Sequence, residues 1–368
     1  MQRVVLHVGH PKTGSSYLQG CLALNKESLL DLNIEYPMKQ SSRRIEESFR
    51  RDRLGYVGGN GNNLFQILSA SKTSSENTLL FSGEGLFLNL ITQRKGEFCD
   101  LLSSSKYSFE VIVYSRNLFE FLFSSWGQRV KIDKETRDLN NFLLQGPFHI
   151  HRSILAWIKL SKEYDFTLTI KNYSNFKKSL AKQFFFDLTG SKDFLFITPP
   201  VEKVNRSLTF VETEFQRVFN KTSDFTLPLS EYLVSNLPEI NSSQFRCTRE
   251  AYDFVVCNCR DVFEEINKYL SDEDFLKIEN ADQIVDDYFL DNYGISDEQV
   301  DVISSYILRC MHNRAPDEVN SIRDVAIKIS RNQAQLVDAL WLMEFALKCR
   351  PNGDAIRNYV NLWKGELS

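Results

Sequence analysis

The chain opens on an unbroken apolar run, Val4-Val5-Leu6-His7-Val8, and then changes character at Gly9-His10-Pro11-Lys12-Thr13-Gly14. A short apolar run without a 3.6-residue period predicts a strand buried on both faces. Tyr17, Leu18, Cys21 and Leu22 follow at helical spacing, so a helix is expected to start at Ser15-Ser16. Further strands are predicted at Thr78–Ser82, closing on Gly83-Glu84-Gly85, and at Phe109–Tyr114, closing on Ser115-Arg116. A fourth is predicted at Phe166–Ile170, closing near Lys171-Asn172-Tyr173. Helical periodicity covers Leu118–Val130 and His151–Tyr164. Strands alternating with helices predict a parallel α/β sheet covered on both faces. Ligands of such sheets bind beyond the carboxyl ends of the strands, where these polar clusters fall.

Two regions break the alternation. Residues 38–77 are rich in Ser, Arg, Gly and Asn and read as an irregular excursion, a candidate lid over the site. From about residue 208 onward, amphipathic helical patterns replace the strands. The last stretch, Gln333–Leu367, has helix-hairpin spacing around the turn Arg350-Pro351-Asn352-Gly353. It resembles one tetratricopeptide unit, and a single unit is expected to act as a packing cap. The chain thus divides into a core at 1–210, a helical continuation with acceptor-side elements at 211–330, and a C-terminal helix hairpin at 331–368.

Composition narrows the chemistry. Apolar residues make up 42% and charged residues 25% of the 368, and 28 are Phe, which supports a large buried core. A net charge of −4 argues against a protein that coats nucleic acid, so any anionic ligand must be held by a local pocket. Seven scattered cysteines fit a reducing compartment, and Cys257-Asn258-Cys259 lacks the second pair of a zinc finger. No metal is expected. No stretch reaches the roughly 18 apolar residues of a membrane span, and no signal-peptide pattern precedes the first strand, so a cytoplasmic location is expected.

Gly9-His10-Pro11-Lys12-Thr13-Gly14-Ser15-Ser16 has the parts of an anion cradle. Glycines admit close approach of backbone N–H groups, and the following helix start presents unpaired donors. Lys12 adds charge, and Ser15 and Ser16 add hydroxyls. It is not a Walker loop, because Lys12 precedes Gly14 by two residues instead of following the last glycine.

The run His7 to Gln19 resembles the 5′-phosphosulfate loop of the PAPS-dependent sulfotransferases (PAPS is 3′-phosphoadenosine 5′-phosphosulfate), which carry Pro-Lys-(Thr/Ser)-Gly-(Thr/Ser)-(Thr/Ser) after their first strand. The resemblance spans residues 3–210 and is nearest to bacterial and carbohydrate sulfotransferases. It implies a P-loop-type parallel sheet flanked by helices, with a helical C-terminal extension. It further implies that Lys12 and the backbone of Thr13, Gly14, Ser15 and Ser16 bind the 5′-phosphosulfate. The family's second signature, a strand-end Arg with a Ser eight residues on, is matched by Arg116 and Ser124, which would hold the 3′-phosphate. An Arg fork and a helix hydroxyl suit that group chemically. Tyr173 resembles the strand-end Tyr that lies against the nucleoside, although Ser174 replaces the usual acid. Val204-Asn205-Arg206-Ser207-Leu208 resembles a segment of bacterial members, with Arg206 near the nucleotide. The glycine-rich Arg-Lys-Gly segment of cytosolic animal members is absent from the sequence.

Sulfuryl transfer to a hydroxyl needs a base and charge stabilisation on the leaving phosphate. Lys12 fits the second role, and Glu84 at the second strand end is the candidate base, since several carbohydrate sulfotransferases use Glu. His10, His149 and His151 are reserve bases. Gln128, Arg129 and Lys131 are candidates for the acceptor cleft, with His10 and His149. The expected activity is transfer from PAPS to a hydroxyl of a carbohydrate or small-molecule acceptor, releasing PAP (adenosine 3′,5′-bisphosphate). Two readings compete with it: an ATP-dependent phosphotransferase, which would need magnesium, and a non-catalytic nucleotide-binding protein.

Overall fold

Strand β1 (Gln2–Val8) lies at the centre of a five-stranded, all-parallel sheet. β3 (Thr78–Gly83) and β4 (Tyr107–Ser115) flank it, while β2 (Ile34–Glu35) borders β3 and β5 (Thr167–Asn172) borders β4. The computed structural model describes residues 1–37, 59–70, 77–146, 148, 150–191, 206–222, 229–240, 245–278, 284, 294–312, 316–331 and 335–367.

The strand alternation sends successive β1 side chains to opposite faces. Val5, Leu80, Ile112 and Tyr114 pack against Leu18, Cys21 and Leu22 of the helix Ser15–Leu24 and against Leu180, Phe184 and Phe185 of the helix Leu180–Thr189. On the other face Phe109 meets Phe98, which in turn meets Trp157 of the helix Arg152–Tyr164. Trp157 Nε1 is satisfied by the Phe87 carbonyl at 3.0 Å. Truncating such buried aromatics costs about 3–5 kcal/mol each, so burial on both faces fixes the sheet.

The four strands expected from apolar runs are present, each one to three residues longer than its run. β2 was not legible, because two residues cannot display a period. Only Thr78 and Leu79 of β3 pair with it. Beyond them Asn60 takes over the edge: its Nδ2 donates to the Leu80 carbonyl at 2.9 Å and its Oδ1 accepts from Ser82 N at 2.8 Å. Asn60 belongs to the described part of the expected excursion, a 3₁₀ turn at Asn60–Asn63 followed by the helix Leu64–Ala70. Most of that excursion, 38–58 and 71–76, lies outside the described residues, and with it the candidate lid.

Contacts group the chain into two compact units, Met1–Asn220 with Ile240–Asn292, and Lys221–Glu239 with Tyr293–Ser368. The stretch 211–330 is therefore shared between them. The helix Arg249–Asn267 packs on the helices Leu139–Leu144 and Arg152–Tyr164 of the first unit, and its Tyr252 stacks on Phe119 at 4.6 Å. In the second unit the hairpin Leu336–Cys349 and Asp354–Leu367 shares a core of Ala339, Met343, Ala346, Ile356 and Trp363 with Val319 and Ala326 of the helix Pro316–Ser330. Among the described residues, no helix is long and apolar enough to cross a membrane.

His7, His10 and His151 are buried in the first unit. Burial lowers His7 and His151 to about 4, and it holds His10 well below its ordinary value, with the charge of His151 adding to the effect. In the unfolded chain each titrates near 6.5. Their contribution to stability is therefore full above pH 6.5 and is lost as pH falls towards 4. Urea unfolding should show a loss of about 2 kcal/mol per buried histidine between pH 7.5 and 5. Constant stability across that interval would refute it.

Candidate functional site

The connection from β1 leaves towards β2 and β3, and that from β4 towards β5, so the crevice between β1 and β4 is the switch point of the sheet. β4 outruns its neighbour: His7 pairs with Ile112, and the strand continues to Ser115. Arg116 is thereby carried alongside the loop that follows β1, and its Nη1 donates to the Lys12 carbonyl at 3.2 Å. The loop needs this support. Lys12 sits at φ 69, a left-handed conformation that costs a non-glycine residue roughly 1–2 kcal/mol. Thr13 closes the turn from within, donating through Oγ1 to the His10 carbonyl at 2.6 Å. Its hydroxyl is thus spent inside the loop.

Gly14 also has positive φ, at 75°, and a Cβ there would lie 2.6 Å from Leu180 Cδ2 and 3.3 Å from Tyr173 Cε2. It is the N-cap of the helix Ser15–Leu24 and supplies no side-chain cap, so the first-turn donors of that helix lack a side-chain acceptor. A Cβ built on Gly9 would lie 2.3 Å from Ser15 Oγ and 3.3 Å from Glu84 Cγ, so both side chains border the space over Gly9. Ser15 Oγ is buried without a hydrogen-bond partner. A buried hydroxyl beside uncapped helix donors is a ready binder for an anionic oxygen.

The same strand ends bring the charged candidates together. Burial lowers Lys12 to about 8; Glu84 and Asp133 act against that shift, and Arg116 and Lys131 add to it. Lys12 thus stands in the field of Glu84, Arg116 and Lys131, three residues drawn from separate segments. Glu84 is half-buried in the first turn of the helix Glu84–Asn89. The Arg116 guanidinium lies 5.4 Å from the centroid of the Tyr173 ring, within cation–π range. Burial raises the Tyr173 phenol, which keeps it protonated. Ser124 is half-buried two turns along the helix Leu118–Ile132, on one stripe with exposed Gln128 and half-buried Lys131. Exposed Arg129 lies beside that stripe.

Other candidates fall elsewhere. Arg206 forms a buried bidentate ion pair with Glu212, at 2.7 and 2.9 Å, and Glu212 also accepts from Thr209 N at 2.8 Å. That set clamps the start of the helix Phe210–Thr222, so two donors of the guanidinium are committed there. His10 is wholly buried, with its ring against Phe87, Phe121 and His151, and so does not face an acceptor. His151 is equally buried, its ring packed against His10, Phe121 and Phe263. His149 and Val204-Asn205 lie outside the described residues.

A polar hub beneath Arg116 was missed. Asp274 accepts from Asn172 N at 3.2 Å, Lys171 Nζ at 3.0 Å and Ser271 Oγ at 2.8 Å. Asn172 Nδ2 donates to Asn117 Oδ1 at 3.0 Å, and Lys277 N donates to the same oxygen at 2.9 Å. The strap 271–277 therefore ties the ends of β4 and β5. Nothing in the sequence marks a link between residues a hundred positions apart. Among the described residues, no group of three or more His, Cys, Asp or Glu is placed to hold a metal ion. No family model, curated protein or solved structure matches this chain significantly.

Competitive acylation should find Lys12 gaining reactivity with a midpoint near pH 8. Because Glu84 supports the charged form, Glu84→Gln should move that midpoint lower still. A midpoint near 10.5, the ordinary lysine value, would contradict the half-buried placement.

Proposed function

We propose that the chain is a PAPS-dependent sulfotransferase, transferring a sulfuryl group to a hydroxyl of a carbohydrate or small-molecule acceptor and releasing PAP. The observation that carries this reading is the convergence of Lys12, Glu84, Arg116 and Tyr173 at the carboxyl ends of four neighbouring parallel strands. The P-loop-type character of the sheet belongs to the same reading.

The residues present fit a nucleotide with phosphates at both ends. One anion position is the loop, with the unpartnered Ser15 hydroxyl, Ser16 and the N–H groups of Thr13 to Ser16. The other is the Arg116 fork with Ser124 farther along the helix. Tyr173 borders the space between them and offers a ring to the nucleoside. When bound, PAPS supplies the sulfuryl group and a phosphate leaving group. Lys12, still largely charged at pH 7, balances the negative charge that develops on that phosphate. Glu84 accepts the proton of the acceptor hydroxyl through its carboxylate. Gln128 and Lys131 extend the site along the helix on the acceptor side. Arg206, already engaged by Glu212, is left out of the set.

Thermal stabilisation by PAP and by Mg-ATP, followed by transfer from labelled PAPS to an acceptor panel, tests the reading. PAP should stabilise the protein and Mg-ATP should not; the opposite result would replace it with an ATP-dependent phosphotransferase. PAP binding without transfer would favour a non-catalytic nucleotide-binding protein. Glu84→Gln should cut turnover by about 10²–10⁴ while PAP affinity stays within about twofold. Surviving turnover would remove Glu84 from the base role.

A further inference from the structure

We infer that Lys177 is a second cation for the 3′-phosphate beside Arg116, and that Glu120 is the site's built-in counter-anion, displaced when that 3′-phosphate binds. The inference rests on the nucleotide reading above and goes beyond it by naming a residue pair which that reading did not include.

Two cations from separate segments meet on one carboxylate oxygen. Arg116 Nε, at the end of β4, lies 3.3 Å from Glu120 Oε2. Lys177 Nζ, just past the short helix Tyr173–Phe176, is hydrogen-bonded to that same oxygen. Asn117 Nδ2 donates to Glu120 Oε1 at 3.3 Å. A guanidinium, an ammonium and an amide thus converge on one anionic group, the donor set that recognises a phosphate. The group they now hold belongs to the chain itself. Burial opposes the ionisation of Glu120, but the hydrogen bond and charge of Lys177, joined by the charge of Arg116, keep its carboxyl below the ordinary range. It is therefore an anion at neutral pH.

The competition favours phosphate. A phosphomonoester carries up to two charges and three acceptor oxygens, against one charge and two oxygens for a carboxylate. The Lys177 side chain is 40% exposed and its ammonium rides on a flexible stem, so it can follow an incoming anion. Arg116 is held from its other sides by the Lys12 carbonyl and the Tyr173 ring, so it stays in place while Glu120 yields. A ligand offering only a carboxylate gains nothing over Glu120, which makes the pair selective for phosphate.

Calorimetric titration with PAP and with AMP, which lacks the 3′-phosphate, separates the possibilities. Lys177→Met should weaken PAP binding about tenfold and leave AMP within about twofold, while Lys177→Arg should restore PAP affinity. Glu120→Gln should tighten PAP several-fold without changing AMP. Unchanged PAP affinity in Lys177→Met, or weaker PAP binding in Glu120→Gln, would overturn the inference and leave the nucleotide reading standing. A wild-type protein that binds neither nucleotide would defeat the reading and the inference together. If Lys177→Met weakens PAP and AMP equally, Lys177 acts on the whole fold and the inference falls.

Discussion

A parallel sheet covered on both faces has one outlet for polar chemistry, the carboxyl ends of its strands. β1 has a strand on each side and packed side chains above and below, so nothing polar can leave it except through Gly9 and the loop beyond. The rest of the site follows from register. Because His7 pairs with Ile112 and β4 runs on to Ser115, Arg116 is delivered beside the loop, where its fork meets the Lys12 carbonyl. A slip of one residue would turn the faces of the strand over and remove both the packing and that bond. The left-handed Lys12 is thus held by the same pairing that forms the core.

Beneath the loop the polar groups are buried, and several of their atoms, His7 Nε2, His10 Nε2, His151 Nε2 and Ser115 Oγ, have no hydrogen-bond partner. The Asn117–Asn172–Asp274 hub holds the residue after Arg116. Asp274 takes three donors, including the Lys171 ammonium, so removing its carboxylate would strand a charge and two hydrogen-bond donors. Leaving a buried hydrogen-bond donor such as Asn172 N unpaired costs about 1–3 kcal/mol. The rigidity needed to aim Arg116 therefore comes from residues distant in sequence, on the strap 271–277.

What the sequence made legible was local. Each long strand announced itself as an apolar run closed by a polar cluster, and the loop could be read because its residues are consecutive. The helix of Ser124, Gln128 and Lys131 was likewise visible, since spacing alone puts them on one stripe. His10 shows the limit: placed within a polar loop, it turns inward because Phe87, Phe121 and His151 close a pocket that no local pattern records. Arg206 looked available, and only the fold reveals that Glu212, at the start of the next helix, engages its fork. The stripe of Arg249–Asn267 could be recognised as apolar, but periodicity does not say which core it enters. Glu120 stands one helical turn after Arg116 and was not singled out in the sequence, and the arrival of Lys177 on the same oxygen depended on the path of β5.

The charges around the loop nearly balance, with four cations against three anions, and this governs how the site can work. Lys12, Arg116, Lys131 and Lys177 are accompanied by Glu84, Asp133 and Glu120, in a chain whose net charge is −4. Such a surface does not collect anions by a broad positive field; it selects them by the arrangement of donors at short range. Burial is the first cause of the lowered proton affinity of Lys12, ahead of every neighbouring charge. An anion entering the loop adds a compensating charge to that half-buried ammonium and raises its proton affinity again. Anion binding and protonation of Lys12 therefore reinforce each other, so the cation is most firmly charged when a phosphate lies against it.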